Sequence, residues 1–267
     1  IGARAQRDTG ATGGFGFSWW VGLLPFIEQK PLYDSLDQLA HNNGSALFNA
    51  TNRAATNGVY IDVMKCPSSP LPEFDVILST NQMVPSYVGI SGATDHYGLN
   101  VTRLNPCCLP SNNGQISGDG VLVTSRSIRP AEITDGLSNV LFVGEAANWS
   151  KDVTTGANVR TDGAFPVTWI TGTNGRSTPP TYRGNSATQY PQVYNLTTIR
   201  HPPNSKFDTA LGMFANHGPN NPLSSAHPGG VLAVTGDRRV AFVSENIDIL
   251  VLQKLAARDD GNVAQVP

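Results

Sequence analysis

Three proline-bearing clusters, Pro179-Pro180, Pro202-Pro203 and Asn220-Asn221-Pro222, interrupt residues 148–226 so often that no long helix or interior strand fits there. Gly, Asn and Tyr fill the intervals, so this stretch predicts elaborated surface loops laid over a scaffold built elsewhere. The whole chain leans the same way. It has 27 Gly and 19 Pro in 267 residues, and 14% of its residues are charged, against about a quarter in ordinary soluble domains. Such a composition suits ordered, turn-rich loops on an extracellular protein.

The regular elements must therefore be short and lie outside that stretch. Residues 18–29 open with Ser18 and are apolar nearly all round, which predicts one or two buried helical turns that Pro25 kinks or ends. Pro31 starts a second short helix, with Leu32, Leu36 and Leu39 at helical spacing. Residues 41–57 are polar and predict a loop; residues 59–64 alternate like a strand and stop at Cys66-Pro67-Ser68. Strands are also expected at 86–90 and 121–125, with a Gly/Asn/Pro-rich loop between them. The run 140–145 is continuously apolar and follows the turn at 133–139, so it predicts the central, twice-covered strand. Residues 229–234 and 239–243 flank Gly236-Asp237 and predict a hairpin. A helix over 247–258 should follow, capped by Ser244 or Asn246, with Ile247, Leu250, Val251 and Leu255 on one face. Neither repeat nor low-complexity linker divides the chain, so the expectation is one α+β domain over 1–267, on an antiparallel sheet with short helices and an elaborated loop region at about 148–226.

Charge and motif content remove several function classes. A net charge of −2 and a pI of about 6.2 give no general footprint for nucleic acid or anionic membrane. The nearest approach to a membrane span is 21–27, broken by Pro25 and far short of the ~20 residues required. Gly-x-Ser-x-Gly, phosphate-loop, dinucleotide and His-Glu-x-x-His patterns are absent, so the expectation is not an enzyme. His227 and Asp237 invite a catalytic-pair reading, but the strand between them should hold them roughly 20 Å or more apart. His227 then serves to fix the loop entering the hairpin, through ring-to-backbone hydrogen bonds. Asp119 and Asp135 stand beside Gly and read as turn formers. Glu145 ends an apolar strand with no His, Lys or second carboxylate at a defined spacing, so a structural salt bridge is its expected role. Cys66, Cys107 and Cys108 lack zinc-type spacing; Cys66 is a candidate disulfide partner for Cys107 or Cys108, the other reading being a buried small hydrophobe at each. Trp149, Trp169, Tyr182, Tyr190 and Tyr194 lie in the irregular stretch, either as anchors of loops or as a stacking surface for glycan.

Four segments, in this order, resemble a bacterial prepilin-type family whose C-terminal signature is His, nine residues, then Asp-Gly, a domain of unknown function catalogued as number 1559. They are Trp19 or Trp20 through Leu23-Leu24-Pro25-Phe26-Ile27-Glu28-Gln29; Cys66-Pro67-Ser68; the 133–139 turn, carrying Asp135-Gly136, with Gly144-Glu145; and His227-Pro228-Gly229-Gly230 through Arg258-Asp259. Each is common alone, but together they span nearly the whole chain. Asp237 falls where the signature asks, while Arg238 replaces the usual Gly; the expectation is that Gly236 keeps a two-residue turn. The resemblance implies a pilin-like or pseudopilin head, extracellular or at the cell surface. A hydrophobic N-terminal helix, not visible in this chain, would anchor it before assembly. Its implied partners are other copies or related pilin-like subunits; a freestanding module for glycans or peptides is the alternative. No organic cofactor is implied. Calcium is the candidate ion, since some pseudopilins use one and oxygen-rich loops suit it, with no ligand set singled out. Sequons at Asn43, Asn49, Asn100, Asn148 and Asn195 are incidental in a bacterial protein.

Overall fold

A computed structural model describes residues 15–38, 46, 48–108, 114–175, 177–183, 191–213 and 219–266. Leu39, Asn43 and Tyr190 lie outside them. The chain opens with helices α1 (Trp19–Leu23), α2 (Lys30–Ser35) and α3 (Ala50–Thr56), the first running on into a 3-10 turn at Leu24–Phe26. Strands β1 (Phe74–Ile77) and β2 (Thr80–Met83) make a hairpin, and β3 (Tyr87–Ala93) follows. Next come the β4 (Leu104–Pro106) and β5 (Gln115–Ser117) pair, β6 (Leu141–Glu145), and the β7 (Trp149–Lys151) and β8 (Asn158–Arg160) pair. The chain closes with β9 (Leu196–Ile199), the β10 (Gly230–Thr235) and β11 (Val240–Ser244) hairpin, and α4 (Ile249–Ala256).

The principal sheet has the order β11-β10-β6-β3-β9, so the apolar run does form its middle strand. Every pairing is antiparallel except β3 with β9, which is parallel and brings one strand of the loop-rich stretch to the sheet edge. The fold is α+β, antiparallel-rich, with few short helices and long loops, consistent with the pilin-like head expected from the sequence. Among the described residues no helix is long and apolar enough to cross a membrane.

Alternation along the strands gives the sheet two apolar faces, and a register shift where β6 meets Val234 and Thr235 puts Leu141 and Val143 on opposite ones. Val88, Ile90, Leu141, Val231 and Val243 meet Leu252, Leu255 and Ala256 of α4 on one side. On the other, Tyr87, Val143 and Leu196 pack with Trp19, Trp20 and Ile170. The close approach of α1 depends on Gly89: a Cβ there would stand 2.7 Å from Leu196 Cδ2, 2.8 Å from Leu122 Cδ1 and 3.2 Å from Trp19 Nε1. The same indole donates to the Asn195 carbonyl at 2.7 Å.

Several local expectations give way. Residues 50–56 are helix, not loop, because Asn49 caps the Asn52 amide and the buried Asn52 side chain bonds the backbone of Asp37 in both directions. Residues 59–64 turn into a 3-10 helix at Asp62–Met64, burying Ile61 and Met64 three residues apart. Residues 121–125 form no strand pairing, although 121–124 are buried. Helix α4 is capped by Asp248, whose carboxylate accepts from the Leu250 amide at 2.8 Å, so neither Ser244 nor Asn246 is its cap.

Candidate functional site

Three of the motif segments end at one place. Glu145 is the last residue of β6, held by strand pairing opposite Tyr87, and it is 1% exposed. Its Oε2 accepts from the Leu232 amide of β10 at 2.7 Å, which turns Oε1 toward His227 Nε2, 3.3 Å away. His227 lies just before Gly229, whose φ of +83° lets the chain bend into β10. Its Nε2 also stands 3.6 Å from Cys66 Sγ. Cys66 starts the turn in which the Ser69 amide donates to its carbonyl at 3.0 Å. Burial pushes the Cys66 thiol up, the nearby Ser68 and Ser69 amides pull it down, and the neighbouring Glu145 carboxylate raises it further, so that the net direction is upward.

Glu145 makes the salt bridge expected of it, with His227, and its two partners come from 79 and 82 residues away along the chain, distances that no local spacing rule detects. One sequence expectation is overturned. The His227 ring faces a carboxylate and a thiol, not the backbone. The available signal was chemical: Cys, Glu and His are ligand-type residues, and each stood in a different motif segment.

Cys66 and Glu145 both face the same ring nitrogen of His227. A nucleophile relay needs the thiol on one imidazole nitrogen and the orienting carboxylate on the other. In this geometry the cluster lacks the arrangement of an acyl-transfer relay. Among the described residues it is the one group of three His, Cys, Asp or Glu side chains whose ligand atoms all lie within 4.8 Å of one another.

The other motif residues form scaffolding. In the N-terminal corner the Gln29 amide donates to the Leu24 carbonyl at 2.9 Å, with Glu28 in the left-handed region at φ +61°, the geometry of a helix-ending Schellman turn. Pro25 sits at the start of the 3-10 turn, and Trp19 is core. The carboxylate of Asp135 reaches beyond its own turn, taking the amides of Asp260 at 2.9 Å and Gly261 at 3.1 Å, while Gly136 bends away at φ +96°. Arg258 is buried behind α4, donating to the Gly118 and Gly120 carbonyls at 2.6 and 2.5 Å. Asp119, the other turn former, binds Arg103 at 2.5 Å, and Arg103 also pairs with Asp259.

Two further placements, the cysteine pairing and the hairpin turn, differ from expectation, whereas the aromatics and Asp237 fall within it. Cys107 and Cys108 are disulfide-bonded to each other, and Cys66 is a free buried thiol, so neither proposed bridge to Cys66 forms. Trp169, Tyr182 and Tyr194 are buried core residues and Trp149 is half-buried on β7, which makes them anchors of loops and leaves no exposed stacking surface from these four. The hairpin turn uses three residues, 236–238, with Arg238 at φ +73°, so Gly236 does not supply the left-handed position. Asp237 serves that turn, taking the Thr235 hydroxyl and the Arg239 amide, and β10 separates it from His227 as expected.

No curated protein and no solved structure matches the chain. A family model described as "Protein of unknown function (DUF1559)" matches residues 2–250, which is most of the sequence, and the chain belongs to that family.

Proposed function

We propose that the chain is the non-enzymatic, extracellular head of a pilin-like or pseudopilin subunit, acting through assembly or display at the cell surface. What supports this reading is an apolar strip left open on one side of the principal sheet. Leu232, Val234, Val240 and Phe242 point away from α4 on β10 and β11; Val240 is 60% and Phe242 47% exposed. Leu232, Val234 and Val240 line a groove of about 440 Å³ against α1 together with Trp20, Leu23, Ile27, Val63, Tyr87 and Val143, and Phe242 stands beside it. Soluble monomers rarely leave so contiguous an apolar surface uncovered, and a rod-like apolar helix of a neighbouring subunit, or of the subunit's own anchor, is the kind of element that fills such a groove.

Electron cryo-microscopy of the full-length product, isolated from its native cells, tests this. The expected result is ordered filaments with this head on the outside of a helical core. Monomers alone, or heads on single anchors, would overturn the assembly reading and favour a surface binding module.

A further inference from the structure

The Cys66, Glu145 and His227 ligand atoms all lie within 4.8 Å of one another, and two edges of their triangle have the dimensions of a tetrahedral coordination shell. With metal–ligand distances of about 2.3 Å to sulfur and about 2.0 Å to nitrogen and oxygen, tetrahedral edges come out near ~3.6 Å for S···N and ~3.3 Å for N···O. The observed separations are 3.6 Å from Cys66 Sγ to His227 Nε2 and 3.3 Å from His227 Nε2 to Glu145 Oε1. One thiolate, one imidazole and one carboxylate form a borderline-soft donor set, suited to zinc or cobalt and ill suited to calcium, which takes oxygen.

The surroundings match as well. Glu145 Oε2 is occupied by the Leu232 amide, which leaves the other oxygen directed at the shared centre. Charge balances: thiolate and carboxylate neutralise a divalent cation, so nothing unpaired is left in a region where Glu145 is 1% exposed. Only the His227 side, 31% exposed, opens to solvent.

We propose that Cys66, Glu145 and His227 bind one divalent transition-metal ion of the zinc type, with a water in the fourth position on the His227 side. Binding releases the thiol proton to solvent and converts Cys66 to the coordinating thiolate. The ion ties the 66–69 turn and the entry to β10 onto the end of the central strand. The rival occupant of the same space is a metal-free His227–Glu145 ion pair with the thiol beside it.

Cobalt(II) distinguishes the two, because Cys66 is the chain's free thiol and a thiolate–cobalt charge-transfer band can come from nowhere else. The intact chain, stripped with chelator and with its disulfide left oxidised, is titrated with cobalt chloride. The expected outcome is one ion per chain, the near-ultraviolet charge-transfer band, tetrahedral d–d bands in the visible, and displacement by zinc. The band should vanish in Cys66→Ser, and His227→Gln should weaken binding by at least about tenfold, the scale of losing even an outer-shell partner. His227→Gln carries the decision, since its half-exposed site tolerates the change and circular dichroism of the metal-free form checks the fold. No charge-transfer band in the native chain, or unchanged affinity in His227→Gln, would overturn the proposal.

Discussion

Arg238 occupies the left-handed region at φ +73°, as the third residue of the 236–238 turn, where a type I turn followed by a left-handed residue closes a three-residue hairpin. An L side chain there costs about 1–2 kcal/mol, and a glycine's extra freedom in the unfolded chain takes back about 0.5–1 kcal/mol. Arg238→Gly should therefore stabilise the protein by about 0.5 kcal/mol, seen in urea unfolding as a higher midpoint with an unchanged slope. A midpoint that falls would mean that the guanidinium makes contacts worth more than the strain. The resemblance drawn from the sequence implies a glycine at this position, and a φ of +73° is a conformation that glycine adopts without strain. That departure was legible in the sequence, but its location in the turn was not, because Gly236 offered an equally plausible two-residue loop. Cys66, Glu145 and His227 were legible in the same partial way: each stood out in its own segment, yet their meeting depends on a register across the sheet that chain spacing does not encode.

At the scale of elements, strong periodicity and tight turns were the readable signals. The middle strand β6, the β10–β11 hairpin and α4 all appear where apolar pattern and glycine placed them. Elements made by tertiary contact were not readable. Helix α3 is a polar, Asn-rich segment fixed by the buried Asn52, and β9 is a short Leu-Thr-Thr-Ile run that becomes a strand by lying parallel to β3. The cap of α4 tests the same distinction. Asp248 accepts the Leu250 amide, whereas the Asn246 amide is bound only to the Ser244 hydroxyl, outside the helix. Asp248→Ala should cost about 1 kcal/mol, the usual loss for a side-chain cap. Asn246→Ala should change stability by less than about 0.5 kcal/mol. Thermal unfolding of the two variants side by side decides the point: equal losses would mean that α4 starts earlier than Ile249.

The whole molecule is a five-stranded sheet treated differently on its two faces. Helix α4 covers one face completely, leaving Leu252, Leu255, Ala256, Val231 and Val243 with essentially no exposure. The opposite face is covered by α1 only near β3 and β9, and it stays open over β10 and β11. Leu232 opposes Phe242 and Val234 opposes Val240 across the ladder, so four apolar side chains stand in one uncovered block. Cross-strand pairs of this kind add only about 0.2–1 kcal/mol each to the hairpin, which makes their contribution to the isolated head small. Substituting the two most exposed, Val240→Lys with Phe242→Lys, should therefore lower the head's stability by no more than about 1 kcal/mol. In the full-length product the same pair would place one charge in the groove that an apolar partner must enter and a second beside it, opposite Leu232, at a desolvation penalty of several kcal/mol for each charge that the partner covers. The expected outcome is a head that unfolds near the native midpoint and a subunit that no longer assembles, read by sedimentation and electron microscopy of cells expressing the double variant. Normal filaments from that variant would show that this face does not make the contact, even if the protein assembles by another.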